Sequence, residues 1–127
     1  MGPNFMAAHH EIHAENPKYV QAQKDGKAPL ERLERAADEP ISRVLQHGAE
    51  KYGARNWRRD AIRITTYVAA VRRHIAALND GEDIDPDSGE HHMAHIGANV
   101  HVFLDALAHG TLIDDRPSID AGGTVDA

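Results

Sequence analysis

Along most of the chain beyond residue 38, apolar residues recur at spacings of three and four. Nowhere does a period-two alternation persist, so the pattern predicts helices and no strands. A helix over residues 38–52 places Ile41, Val44, Leu45, Gly48, Ala49 and Tyr52 on one face. Asp38 or Glu39 suits its start, Pro40 is tolerated in a first turn, and Gly53 is a natural stop. After a short link over residues 54–57, a second helix spans residues 60–79, with Asp60 as its cap and Gly81 beyond its end. Its seam is Ile64, Tyr67, Val68, Val71, Ile75 and Leu78. The third runs from Ser88 or Gly89 to His109 and closes at Gly110. Its seam is Met93, Ile96, Gly97, Val100, Phe103, Leu104 and Leu107. Residues 24–29 read as a loop, and a short helix is expected from about Leu30. The expected fold is all-α: a compact antiparallel bundle of three main helices plus a short N-terminal helix.

Composition changes this picture in one respect. Hydrophobic residues make up 41% of the 127, but aromatics only 5%, so Ala, Val, Ile and Leu must build the core. Residues 1–23 are expected to form a flexible N-terminal segment and residues 113–127 a flexible tail, leaving residues 24–112 as the folded domain. A core of that size is marginal, which predicts a homo-oligomer, a dimer or tetramer. No cysteine is present, which excludes disulfides and thiolate metal sites. No apolar run reaches membrane-spanning length and no signal-peptide layout opens the chain, so no membrane partner and a cytoplasmic location are expected. A net charge of −6 argues against direct nucleic-acid binding.

The distribution of charge is more informative than its sum. Between Lys51 and Arg73 lie seven basic residues and one acid, and from Asp80 to Glu90 six acids and no base. This pattern suits either two solvated faces that neutralise one another, or a phosphate-binding segment beside a metal-binding one. At about 100° per residue, His92, His95 and Asn99 share a stripe of the third helix, and His74 borders the seam of the second. These four can converge where the two helices pack, with Glu82, Asp83 and Asp85 on the connecting loop at the same end. The set suits a divalent metal with oxygen and nitrogen ligands; equally, such histidines can be plain hydrogen-bonding partners. No His-Glu-x-x-His, adjacent His-Asp pair or Walker loop occurs. The acidic loop fails as an EF-hand, because Ser88 stands where glycine belongs and Ala94 where the bidentate Glu belongs. Magnesium, which needs only one or two carboxylates plus phosphate oxygens, stays open for it. In residues 51–58, Trp57 or Tyr52 can stack on a purine, and Lys51 or Arg55 can bind phosphate; alternatively Trp57 simply fills the core. His9, His10 and His13 can bind metal adventitiously.

Five segments occur in order: Gly26-Lys27-x-Pro29-Leu30; His47-Gly-Ala-x-Lys51-Tyr-Gly-x-Arg55-Asn-Trp57; Arg73-His74-x-x-Ala77; Gly81-Glu82-Asp83-x-Asp85-x-x-Ser88-Gly89; and His92-x-x-His95-x-x-x-Asn99. Together they resemble the phage family named for the N-terminal domain of dATP/dGTP diphosphohydrolase, over about residues 24–110. The resemblance implies hydrolysis of purine deoxynucleoside triphosphates to monophosphate and pyrophosphate with a divalent metal, magnesium, in the host cytoplasm. It also implies likeness to all-α MazG-like pyrophosphohydrolases. Those ligate magnesium with Glu-x-x-Glu and Glu-x-x-Asp pairs; neither is intact here, and His92-x-x-His95-x-x-x-Asn99 stands instead. On this reading Glu82, Asp83, Asp85, His92, His95 and Asn99 are the metal candidates. His74, Glu82 and His95 are the catalytic ones, with His74 or His95 as general base. Lys51, Tyr52, Arg55, Asn56, Trp57 and Arg73 are the substrate-binding ones. The alternative is a nucleotide-binding or sequestering module without turnover.

Overall fold

The computed structural model describes residues 16–118, within two compact units, Met1–Leu33 and Glu34–Ala127. His9, His10 and His13 lie outside the described residues, as do most of the N-terminal segment and the end of the tail. The described chain is mostly helical, with four α-helices and one two-stranded sheet. None of the described helices is long and apolar enough to cross a membrane.

In the first unit, helix α1 spans Pro17–Lys24. The Asn16 side chain accepts from the Lys18 amide at 2.9 Å, and Pro17 occupies the first turn, where its missing N–H is not needed. The helix expected from Leu30 is a single 3₁₀ turn, Leu30–Arg32. It stops because Leu33 is already extended.

The second unit contains α2 (Arg35–Tyr52), α3 (Ile64–Asn79) and α4 (His92–His109). The three expected ends hold: Gly53, Gly81 and Gly110 all have positive φ and follow the helices closely. The starts differ. Helix α2 begins three residues ahead of Asp38, supported by the Arg35–Glu39 pair, and Pro40 therefore lies inside it. Helix α3 begins at Ile64, four residues after Asp60. Its cap comes from outside the helix: the Asp115 carboxylate accepts from the Thr65 amide at 3.0 Å and from the Thr65 hydroxyl. Helix α4 begins at His92 rather than Ser88 or Gly89, with the His91 ring accepting from the Met93 amide at 3.0 Å.

A strand pair is present although none was expected. Strand β1 (Ile62–Arg63) runs parallel to β2 (Leu112–Ile113), with Ile62 opposite Leu112 and Arg63 opposite Ile113. Two residues are too few for a period-two signal. The pair fastens the segment after α4 to the start of α3, and so brings Asp115 to Thr65. Ile113, the first residue of the expected tail, is thus part of the sheet.

Helix α4 packs on both α2 and α3. Its inward stripe is not the expected one. Ala94, Ala98, Val102 and Ala106 are buried, while Met93, Val100, Leu104 and Leu107 are exposed. Small side chains every fourth residue let the helices come close; a Cβ on Gly97 would meet Ile41 Cδ1 at 2.6 Å. Among the described residues of this unit there are three long helices, and none of them covers the larger residues of α4.

Candidate functional site

The close approach of α3 and α4 brings their histidines together. His74 Nδ1 lies 2.8 Å from His92 Nδ1. The His74 ring stacks on His95 with centroids 4.6 Å apart. His92 is 5% exposed, the one buried polar residue among those described. Its Nε2 lies 2.7 Å from Glu82 Oε1. A carboxylate can only accept, so Nε2 carries the proton and Nδ1 presents its lone pair toward His74.

The loop between α3 and α4 is held in one shape by its own bonds. The His92 amide donates to the Asp83 carbonyl at 2.8 Å, and Ile84 bridges His91. The Asp87 amide donates to Asp85 Oδ1 at 2.8 Å, and Gly89, with φ of 74°, turns the chain back. These constraints hold Asp85 in the histidine cluster. One ligand atom each from His74, Asp85 and His92 falls within 4.8 Å of the other two. His95 Nε2 lies 2.6 Å from Ser88 Oγ and 3.6 Å from Asp85 Oδ2.

Burial and mutual repulsion set the charge state. Desolvation, then the rings of His95 and His92, push His74 below the ordinary imidazole range, and Arg73 adds to this against the pull of Asp85. Desolvation also lowers His95, with His92 and His47 reinforcing it against Asp85 and Glu90. Burial by itself raises the Asp85 carboxyl. The Asp87 amide and the three rings outweigh it, so the net direction is down. At neutral pH the site therefore offers uncharged His74 and His95 rings, each with one N–H and one lone pair, beside an ionised carboxylate.

His95 also faces a cleft of about 400 Å³ between α2 and α4. Val44, Leu45, Gly48, Ala98 and Val102 floor it, and Tyr52, Trp57 and Tyr67 supply aromatic walls. His47, Lys51, Asn56 and Asn99 supply its polar groups. Trp57 is positioned from behind: its Nε1–H donates to Asp105 at 2.7 Å, and Arg58 holds the same carboxylate through Nε at 2.7 Å and Nη2 at 2.9 Å.

The predicted residues therefore divide. His74, His92, His95 and Asp85 come together, with Glu82 behind His92 rather than in the three-residue cluster. Lys51, Tyr52, Asn56 and Trp57 share the cleft. Arg55 does not. Its left-handed backbone (φ 55°) follows the turn at Gly53, and the residue lines a separate depression with Ser42, Gln46 and His101. Arg73 is exposed beside His74 and lines none of the described cavities. Asp83 contributes its backbone carbonyl to the His92 amide, and its side chain is outside the cluster. Asn99 lines the cleft, its side-chain amide donating to the His95 carbonyl at 2.8 Å. Sequence reasoning missed His47, Tyr67 and Ser88. The i+7 spacing of Ser88 and His95 crosses a loop; His47 and Ser88 stand in the second and fourth of the five segments, which is the only signal they carried, and Tyr67 read as a core position.

A family model described as "dATP/dGTP diphosphohydrolase, N-terminal" matches residues 17–116. A "dATP/dGTP diphosphohydrolase" of Salmonella phage PMBT28 is 35% identical over 91 residues, covering 72% of this chain and 31% of that protein. The chain thus spans about a third of the length of this relative. No solved structure matches the chain.

Proposed function

The chain belongs to the dATP/dGTP diphosphohydrolase N-terminal family, and from that premise we propose that it hydrolyses purine deoxynucleoside triphosphates to the monophosphate and pyrophosphate, working as a homo-oligomer. What supports this reading is one adjacency: His95 belongs at once to the aromatic-walled cleft and to the imidazole–carboxylate cluster. The cleft volume lies within the range of small-molecule sites, and its aromatic residues suit a purine face. Lys51 and His47 on the same wall suit the phosphates.

The chemistry assigned to the chain's own groups is proton transfer and orientation. With His95 Nε2 donating to Ser88 Oγ, the other ring nitrogen is free to take a proton from an attacking water. Stacking on His74 and the Ser88 bond fix the plane of that ring, and Asp85 stabilises the imidazolium that forms. A divalent cation at the cluster would neutralise charge developing on the phosphate oxygens. Magnesium fits the cluster's donors poorly as a resident ion, because it selects oxygen ligands and two of the three donors are ring nitrogens. Magnesium that accompanies the triphosphate belongs to the substrate.

The test is pyrophosphate release from dATP and dGTP by the purified full chain. His95→Ala should lower kcat by about 100-fold or more, the usual contribution of a general base. Nucleotide binding with unchanged triphosphate recovered afterwards would replace hydrolysis by sequestration. Neither binding nor release would end the nucleotide reading.

A further inference from the structure

We infer that His74, His92 and Asp85 form a site for a divalent transition metal of the iron-to-zinc series, with Glu82 as the outer carboxylate that orients His92. The inference relies on the proposed function only for the purpose of the site; the site itself is argued from donor chemistry.

Three observations carry it. The first is the donor set. Two imidazoles and one carboxylate have their ligand atoms within 4.8 Å of one another, close to the roughly 4.2 Å that two ligands about 2.1 Å from one ion can span. Imidazole suits iron, cobalt, nickel, copper and zinc, whereas magnesium and calcium take oxygen.

The second is the tautomer. Glu82 accepts from His92 Nε2, so the Nδ1 of a 5%-exposed ring has its lone pair turned inward. His74 Nδ1 sits 2.8 Å from that lone pair. Two ring nitrogens facing each other at this distance need either a shared proton or a cation that both can bind. A carboxylate gripping the far nitrogen of a ligand histidine is the usual outer arrangement of metal-binding imidazoles.

The third is openness. Three protein donors leave positions free on the ion, the pattern of catalytic rather than structural sites. His95, stacked on His74 and lining the cleft, lies on the side from which a phosphate would arrive.

The test reads binding and not turnover. The full chain, stripped with chelator, is titrated with cobalt(II), zinc(II) and magnesium(II) chlorides by calorimetry, and the cobalt form is examined by visible absorption. One transition-metal ion should bind per chain, about 100-fold or more tighter than magnesium, with cobalt ligand-field bands. Asp85→Asn, close to isosteric, should lose most of that affinity, and His92→Ala should abolish the bands. Glu82→Gln should weaken binding by about 10- to 100-fold while leaving the far-ultraviolet circular dichroism unchanged. A His9→Ala, His10→Ala, His13→Ala triple variant should retain the site, which separates it from adventitious binding near the N-terminus. Equal affinity for magnesium would overturn the assignment. So would a site that the triple variant loses, or one that Asp85→Asn and His92→Ala both keep. If the metal binds as described and no pyrophosphate is released, the site stands and the hydrolytic reading falls. If no transition metal binds and pyrophosphate is still released, the site falls and the hydrolytic reading stands.

Discussion

Asp105 is the residue on which the aromatic wall of the cleft depends. It accepts from Trp57 Nε1–H and from two nitrogens of Arg58, and the Arg58 bonds, then the Trp57 bond, hold its carboxyl well below the usual carboxylate range. A carboxyl lowered in the folded state adds stability that is complete above its unfolded value of about 3.9 and is lost as the pH falls toward the folded value. Trp57, the sole tryptophan, reports on this directly. Its emission should stay constant from pH 7 to about pH 4 and shift to the red in more acid solution. Asp105→Ala should give the red-shifted emission already at pH 7 and lower the melting temperature. Unchanged emission in that variant would mean Trp57 is held by packing alone. None of this was legible in the sequence, since residues 57 and 105 are linked only through tertiary structure. The histidine convergence was legible, because His74, His92 and His95 sit on helices whose spacing fixes their faces. Arg55 stands outside the cleft because a left-handed residue in a turn redirects the chain in a way no periodicity records.

Helices were recognised where glycine ends them, and all three starts were misplaced: α2 has no side-chain cap, α4 is capped by the ring of His91, and α3 takes its cap from elsewhere in the chain. Asp115 caps α3 from about fifty positions away, which a search for a local Ser, Thr, Asp or Asn cannot find. The inward stripe of α4 was misread for a related reason. Larger apolar residues dominate a hydrophobic seam, whereas packing α4 against both α2 and α3 buries the small ones, Ala94, Ala98, Val102 and Ala106, and sets Gly97 against Ile41. Gly97→Val should therefore cost about 1–3 kcal/mol in urea unfolding, the usual penalty for overpacking a tight contact. In an Ile41→Ala background the same change should cost measurably less, because the atoms at 2.6 and 2.8 Å are gone. Additive costs in the two backgrounds would show that Gly97 is required by something other than this crossing.

At the scale of the whole molecule, the second unit lacks enough interior. Among the described residues its buried apolar set is Ile64, Ala94, Ala98, Val102 and Ala106, three of them alanines. Fully burying a valine or isoleucine contributes about 1.5–3 kcal/mol, and alanine less, while ordering each residue's backbone costs about 1–2 kcal/mol. The missing apolar area is present but faces outward: Val68 and Ile75 on α3, Val100, Leu104 and Leu107 on α4. Tyr67, Val68, Val71, Val100, Phe103 and Leu104 line a groove of about 220 Å³ between these helices. A second copy of the chain would bring an identical stripe, and two-fold pairing would let each copy's α4 residues fill the other's groove. About 800 Å² per partner is the usual size of a stable interface, and this stripe would form its apolar centre. Light scattering at micromolar concentration should give a dimer or a multiple of it, with a melting temperature that rises with concentration. Leu104→Glu, on the exposed face and away from the histidine cluster, should yield a monomer that melts at lower temperature. A wild-type chain that stays monomeric, with a melting temperature independent of concentration, would rule out self-association through this stripe.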